Sequence, residues 1–225
     1  MKSVRAAVLP TLALLAACRP SEPDLLTYVP PAAPIVAGLD LDAVRAYPKV
    51  PPALRGLADS LGDAQHAVLV YDARGLLSIR GNPPIVAGPP DLAQAAQAQH
   101  ASGAAPPPEL AQAAASGKPI WVFVRGGTTL PLTGNAANVN RLLHATSSAT
   151  LTIALGERID LELRAIGLND AAATEFEQSL RAMLTLATAA KMKLPAVQVG
   201  RTGREVHISC TAAPDALDQL LRAFY

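Results

Sequence analysis

The sequence predicts an α+β fold: antiparallel sheets with helices packed on one face, in two tandem related halves. Three observations predict it. Three short segments alternate apolar and polar residues in pairs around Gly-containing turns, as sheets covered on one side require. Between them lie stretches whose apolar residues recur at helical spacing. Strand openings also repeat: Pro34-Ile35-Val36 and Pro119-Ile120-Trp121 stand 85 positions apart.

The hairpin registers follow from which residues must share a face. In the first hairpin, Val68 and Val70 share a side with Leu77 and Ile79 across the loop Asp72-Ala73-Arg74-Gly75. In the middle one, a two-residue turn would set Ile153 opposite Asp160 and throw the two apolar rows onto opposite faces. The three-residue loop Gly156-Glu157-Arg158 sets Ile153 opposite Leu161, so that loop, or a bulge, is expected. In the last, Val197 and Val199 oppose Ile208 and Val206 across Thr202-Gly203.

Helices fill the intervals. Asn169 or Asp170 caps a long helix to about Met192, with Phe176, Leu180, Met183, Leu184 and Ala187 on one face. Pro214 and Asp215 open a last helix with the stripe Leu217, Leu220, Leu221 and Phe224. Shorter helices are expected over 52–61, 91–99, 108–116 and 137–145. In the repeat, Val68 and Val70 match Ile153 and Leu155 at the same offset of 85, and Pro90-Asp91 matches Pro214-Asp215. The first half lacks a counterpart of the long helix.

The chain divides into a signal peptide (1–17), a Cys18-led, proline-rich tether (18–33), a first half (34–100) and a second half (109–225). The soft stretch 101–108 separates the halves. Lys2 and Arg5 precede an apolar run, 6–17, too short to cross a bilayer core of about 30 Å. The run ends in Leu15-Ala16-Ala17-Cys18, which resembles the lipobox of bacterial lipoproteins. That resemblance implies cleavage before Cys18, two or three acyl chains on it, and an effectively permanent membrane anchor. It also implies a periplasm-facing protein of the cell envelope, with the outer membrane favoured because Arg19, not Asp, follows the cysteine. Within the tether, Leu25, Leu26, Tyr28 and Val29 are apolar enough to dock on the fold. The stretches Leu25 to Asp40 and Ser148 to Leu163 resemble an uncharacterised family of envelope proteins from Acidobacteria-type genomes. That resemblance carries no activity.

The formal net charge of +1 carries no basic block, so a nucleic-acid partner is not expected. With Cys18 lipidated, Cys210 is left without a partner. It falls on the apolar side of its strand and reads as an inert thiol. Two polar rows are candidate sites. Glu205, His207 and Ser209 alternate along one strand, yet residues two apart lie about 6.6 Å from each other, awkward for a Ser/His/acid relay. Asp160, Glu162 and Arg164 form a similar row beside Thr150 and Thr152. Both read as solvated sheet face. His66, His100, His144 and His207 are scattered without metal-ligand spacing, so neither metal nor cofactor is expected. The loop Arg125 to Asn138, with three glycines, could meet a ligand or partner. The function expected is non-catalytic: an envelope lipoprotein holding a protein partner or envelope component. The alternatives are a hydrolase around His207, which needs a concave site joining it to an acid and a nucleophile, and a carrier with an apolar cavity.

Overall fold

The computed structural model describes residues 25–130, 138–189 and 196–214. Nine strands form a single antiparallel sheet. They are β1 (Ile35–Asp40), β2 (His66–Asp72), β3 (Gly75–Arg80), β4 (Ile85–Ala87), β5 (Ile120–Arg125), β6 (Thr146–Leu155), β7 (Ile159–Gly167), β8 (Ala196–Thr202) and β9 (Glu205–Ala212). Their order is β4-β3-β2-β1-β5-β6-β7-β9-β8. Six helices accompany them: α1 (Leu41–Ala46), α2 (Pro52–Ser60), α3 (Pro90–Ser102), α4 (Pro108–Ala114), α5 (Asn138–His144) and α6 (Asp170–Ala189). The α+β, antiparallel character matches the sequence expectation. The sheet is one, however, and it joins the two halves.

The halves meet at β1 and β5. Ile35 pairs with Val124, Leu39 with Ile120, and Ala37 with Val122 at the centre. Two hydrogen bonds close this pair reciprocally: Arg125 N donates to Pro34 O at 2.8 Å, and Asp40 N donates to Pro119 O at 2.7 Å. Each bond maps onto the other at the 85-residue offset, so a local two-fold axis passes between Ala37 and Val122.

Helices cover both faces rather than one. The front face carries Val36, Val68, Val70, Leu77, Ile79, Trp121 and Phe123, which pack with Leu92 and Ala96 of α3 and Leu110 and Ala113 of α4. Residues at odd offsets from these along their strands, such as Leu39 and Leu69, point to the back face by strand alternation. There Leu41 and Val44 of α1 and Ala58 of α2 pack over Leu39, Leu69, Ile120 and Ile153. Over the second half of the back face, Leu142 and Leu143 of α5 and Ala173 and Phe176 of α6 pack on Ala149, Ala165 and Val206. Strands of the first half are apolar on both faces, which is why a single covered face does not suffice. Val70, Leu77 and Ile79 are fully buried, and such a side chain contributes roughly 1.5–3 kcal/mol. Gly38 matters to this packing. A Cβ there would meet the Trp121 indole at 2.1 Å, so only glycine lets the ring lie across β1.

Local chemistry places the helices. Asp40 caps α1, its Oδ1 accepting from Ala43 N at 2.9 Å. This short helix was not expected from the sequence. Asn169 caps α6, its Oδ1 accepting from Ala172 N at 2.8 Å. α3 ends at Gly103, whose φ of 65° closes the helix in the left-handed region. The expected last helix lies outside the described residues beyond Pro214.

Of the three hairpins, two keep the expected register. Val68 pairs with Ile79 and Val70 with Leu77, and Ile153 pairs with Leu161 across the three-residue loop. The third is shifted by two: Val197 pairs with Cys210 and Val199 with Ile208. The turn is Gly203-Arg204, with Gly203 at φ 57°. The expected register would have set Arg201 against Arg204, like charges on opposing strands, whereas the observed one closes on Thr202 and Glu205. A two-residue shift keeps every side chain on its face.

The apolar residues of the proline-rich segment dock on the fold, as their character leads one to expect. Leu25–Tyr28 forms a 3₁₀ turn, and Leu25, Val29 and Ala33 are buried in the front core. Tyr28 stacks on His100 of α3 with ring centroids 4.0 Å apart, and Thr27 Oγ1 lies 2.8 Å from His100 Nδ1. Arg125 holds the carbonyls of Pro31 and Ala33 through its guanidinium. Only residues 19–24 separate Cys18 from this docked turn, a reach of about 25 Å at full extension.

Candidate functional site: a polar groove on the second half

The local two-fold axis shows which residues of the halves are equivalent. Val36 pairs with Val70, which pairs with Leu77. At the offset of 85, Trp121 pairs with Thr152, which pairs with Glu162. One register step away, Val68 and Ile79 correspond to Thr150 and Arg164 in the same manner. Val68 and Val70 therefore do not match Ile153 and Leu155, as the sequence repeat suggested. β6 is displaced by three residues relative to that alignment, and Ile153 faces the back core. The true counterparts of the buried apolar quartet are two threonines, a glutamate and an arginine.

These residues line a groove of about 150 Å³ on the front face. β6 supplies Ser148, Thr150 and Thr152 as its floor. β7 and β9 supply Glu162, Arg164 and Glu205. The opposite wall is α4 and the turn after it, with Glu109, Gln112 and Lys118. The two polar rows singled out in the sequence thus lie side by side. Arg164 faces His207 across β7 and β9, Glu162 faces Ser209, and Asp160 faces Thr211.

The charged groups divide into satisfied and free. Arg164 Nε donates to Glu205 Oε1 at 2.5 Å. This hydrogen bond holds the Glu205 carboxyl below the usual glutamate range, outweighing the opposing effect of partial burial. The guanidinium is shifted upward by the same bond. His207 Nε2 lies 3.3 Å from the same Oε1. Thr211 Oγ1 donates to Asp160 Oδ1 at 2.7 Å. Ser148 is 6 % exposed and Thr152 8 %; neither hydroxyl makes a hydrogen bond among the described residues, and both keep access to the groove. Glu162 has no ion-pair partner among them either.

Glu205, His207 and Ser209 do share one strand face, but Glu205 is engaged by Arg164, and no hydrogen bond among the described residues joins His207 to Ser209. The arrangement lacks the imidazole-to-hydroxyl contact that a hydrolase needs. A carrier needs an apolar cavity between α6 and the sheet; Phe176 is buried there and Leu180 packs beside it. Cys210 faces the back side opposite Val197 and Leu161, and burial pushes its thiol pKa up. His66 lines a separate, wider groove of about 1050 Å³ between the end of α2 and the β3–β4 turn, with Asp63 and Arg80. His100 is held by the N-terminal turn, and His144 Nε2 lies 3.1 Å from Thr129 Oγ1. Among the described residues no cluster of His, Cys, Asp or Glu could hold a metal ion.

The loop expected to meet a ligand is tied down at its start. Gly126 N donates to Ser147 O at 2.8 Å, and Leu130 exchanges two hydrogen bonds with the Asn140 amide, at 2.7 and 3.0 Å. Residues 131–137 of this loop, like Cys18 and the signal segment, lie outside the described residues. Among the described residues no helix is long and apolar enough to cross a membrane. Comparison with protein-family models, curated proteins and solved structures finds no match.

Proposed function

We propose that this chain is a lipoprotein of the bacterial envelope, anchored through Cys18, that binds an envelope component or protein partner without catalysing a reaction. The observation that carries the reading is the run from Lys2 to Cys18, with its basic start, short apolar stretch and small residues before the cysteine. Arg19 favours the outer membrane. The docked turn at Leu25 adds a geometric consequence. A lipid on Cys18 would hold the fold within about 25 Å of the bilayer surface, on the side where the turn packs against α3. The groove on the front face supports binding rather than catalysis. It is concave and polar, and its best-placed acid is already bonded to an arginine.

The anchor is tested by Cys18→Ser. The native chain should sediment with membranes and carry acyl mass by mass spectrometry. The variant should lose that mass and leave the membrane fraction. A variant that stays in the membrane and still carries lipid would overturn the reading.

A further inference from the structure

We propose that the front-face groove binds one sugar unit, neutral or amine-bearing, either free or at the end of a glycan. This deepens the binding reading of the groove and is independent of the anchor. Three observations carry it.

The first is the floor. Ser148 and Thr152 are more than nine-tenths buried as residues, and their hydroxyls, which make no hydrogen bond among the described residues, keep access to the groove that they line. A hydroxyl that the chain leaves unused and that opens on the groove can both donate to and accept from a ligand there. With Thr150 between them, they form a row spaced about 6.6 Å apart that both donates and accepts. That is the chemistry that meets ring hydroxyls.

The second is charge. The lining holds Glu109, Glu162 and Glu205 against Lys118 and Arg164. Arg164 hydrogen-bonds Glu205 and meets Glu162 only through space, which leaves the Glu162 carboxylate in the groove without a hydrogen bond among the described residues. An anionic ligand is disfavoured, and an ammonium group has a carboxylate to meet. A purely apolar ligand would strand every hydroxyl on the floor.

The third is size. About 150 Å³ is well below the roughly 300 Å³ at which sites for larger ligands begin. One ring fits, with any further units leaving along the open polar face towards His207 and Ser209.

The test is calorimetric titration of the full chain in detergent with glucose, glucosamine, glucuronate and a short glucosamine oligomer. Trp121, the single tryptophan and the register neighbour of Thr152, gives a second readout by fluorescence. Saturable binding of glucosamine and glucose is expected, with glucuronate at least about tenfold weaker. An oligomer tighter than the monosaccharide marks a glycan end as the source, and equal affinity marks a free sugar. Ser148→Ala and Thr152→Val should each weaken binding about five- to tenfold while leaving the thermal midpoint unchanged or higher. A merely structural role for these hydroxyls would lower the midpoint instead. Glu162→Gln should remove the preference for glucosamine and leave glucose binding intact. Absence of saturable binding by every sugar, or binding indifferent to Ser148→Ala and Thr152→Val, would overturn the proposal.

Discussion

The two halves of the sheet use the same frame for opposite purposes. At four equivalent front-face positions, the first half holds Val68, Val70, Leu77 and Ile79, and the second holds Thr150, Thr152, Arg164 and Glu162. The first set is sealed under α3, α4 and the N-terminal turn. The second is left as a groove with α4 along one side only. On the back face both halves remain apolar and helix-covered. The difference teaches that the back face suffices to hold the second half together, which releases its front face from packing duty. The first half's front face is used for packing, and the second half's is left open for the binding proposed above.

The sharpest way to break this comparison is to delete a side chain at equivalent positions. Leu77→Ala should cost about 3 kcal/mol by denaturant unfolding, since its site is fully buried among well-packed neighbours. Glu162→Ala, at the counterpart position, should stay within about 0.5 kcal/mol, as for other exposed sites. Equal effects would mean that the two front faces carry similar packing loads and that the division of roles is wrong.

An exchange across the axis gives a smaller and more specific effect. Val70→Thr keeps shape but places a hydroxyl in the sealed core, and it should cost about 1–3 kcal/mol. The reverse exchange, Thr152→Val, removes a hydroxyl that has no partner among the described residues. It should be neutral or stabilising by up to about 1 kcal/mol. If Thr152→Val unfolds at markedly lower denaturant, that hydroxyl is satisfied within the chain and the groove loses its main argument.

The same comparison explains what the sequence revealed. Antiparallel strands were legible because apolar alternation has period two, and the middle hairpin was legible to the residue because any other loop length would split its apolar rows. The last hairpin was misjudged by two residues because a two-residue slip leaves faces unchanged and hydrophobicity cannot see it. Turn chemistry could have: Gly203 suits the first position of a tight turn, and Arg201 against Arg204 is a poor closing pair. Helices on both faces were signalled weakly, by consecutive apolar residues in Ala67-Val68-Leu69-Val70 and Ile120-Trp121-Val122-Phe123-Val124, where β7 alternates apolar and polar residues over 159–164. Of the groove residues, Thr150, Thr152, Glu162, Arg164 and Glu205 were named, in two separate rows, whereas Ser148 and the α4 wall of Glu109, Gln112 and Lys118 were not. Their union depends on β7 pairing with β9 rather than β8, and on α4 lying alongside. Both are tertiary facts that local spacing does not encode. Asp40 as a cap for α1 was readable and was missed because the helix is under two turns long.

The smallest expected effect bears on whether the Arg164–Glu205 pair belongs to the scaffold or to the site. Arg164 is 37 % exposed and Glu205 26 %, so solvent screens the pair and its worth to stability should stay below about 1 kcal/mol. Its pH dependence has a definite sign. The carboxyl pKa of Glu205 is lowered in the folded state, so the unfolded chain binds the proton more readily. The contribution is then fully present above the ordinary glutamate range and is lost as pH falls through the lowered folded value. Comparing the native chain with Glu205→Gln by denaturant unfolding should show a small deficit at neutral pH that vanishes in acid. A deficit of several kcal/mol at neutral pH would place Glu205 among the groups that hold the fold. A small deficit leaves the pair what its exposure suggests: a device that fixes one wall of the groove and keeps the Arg164 hydrogen bond on Glu205 rather than on Glu162.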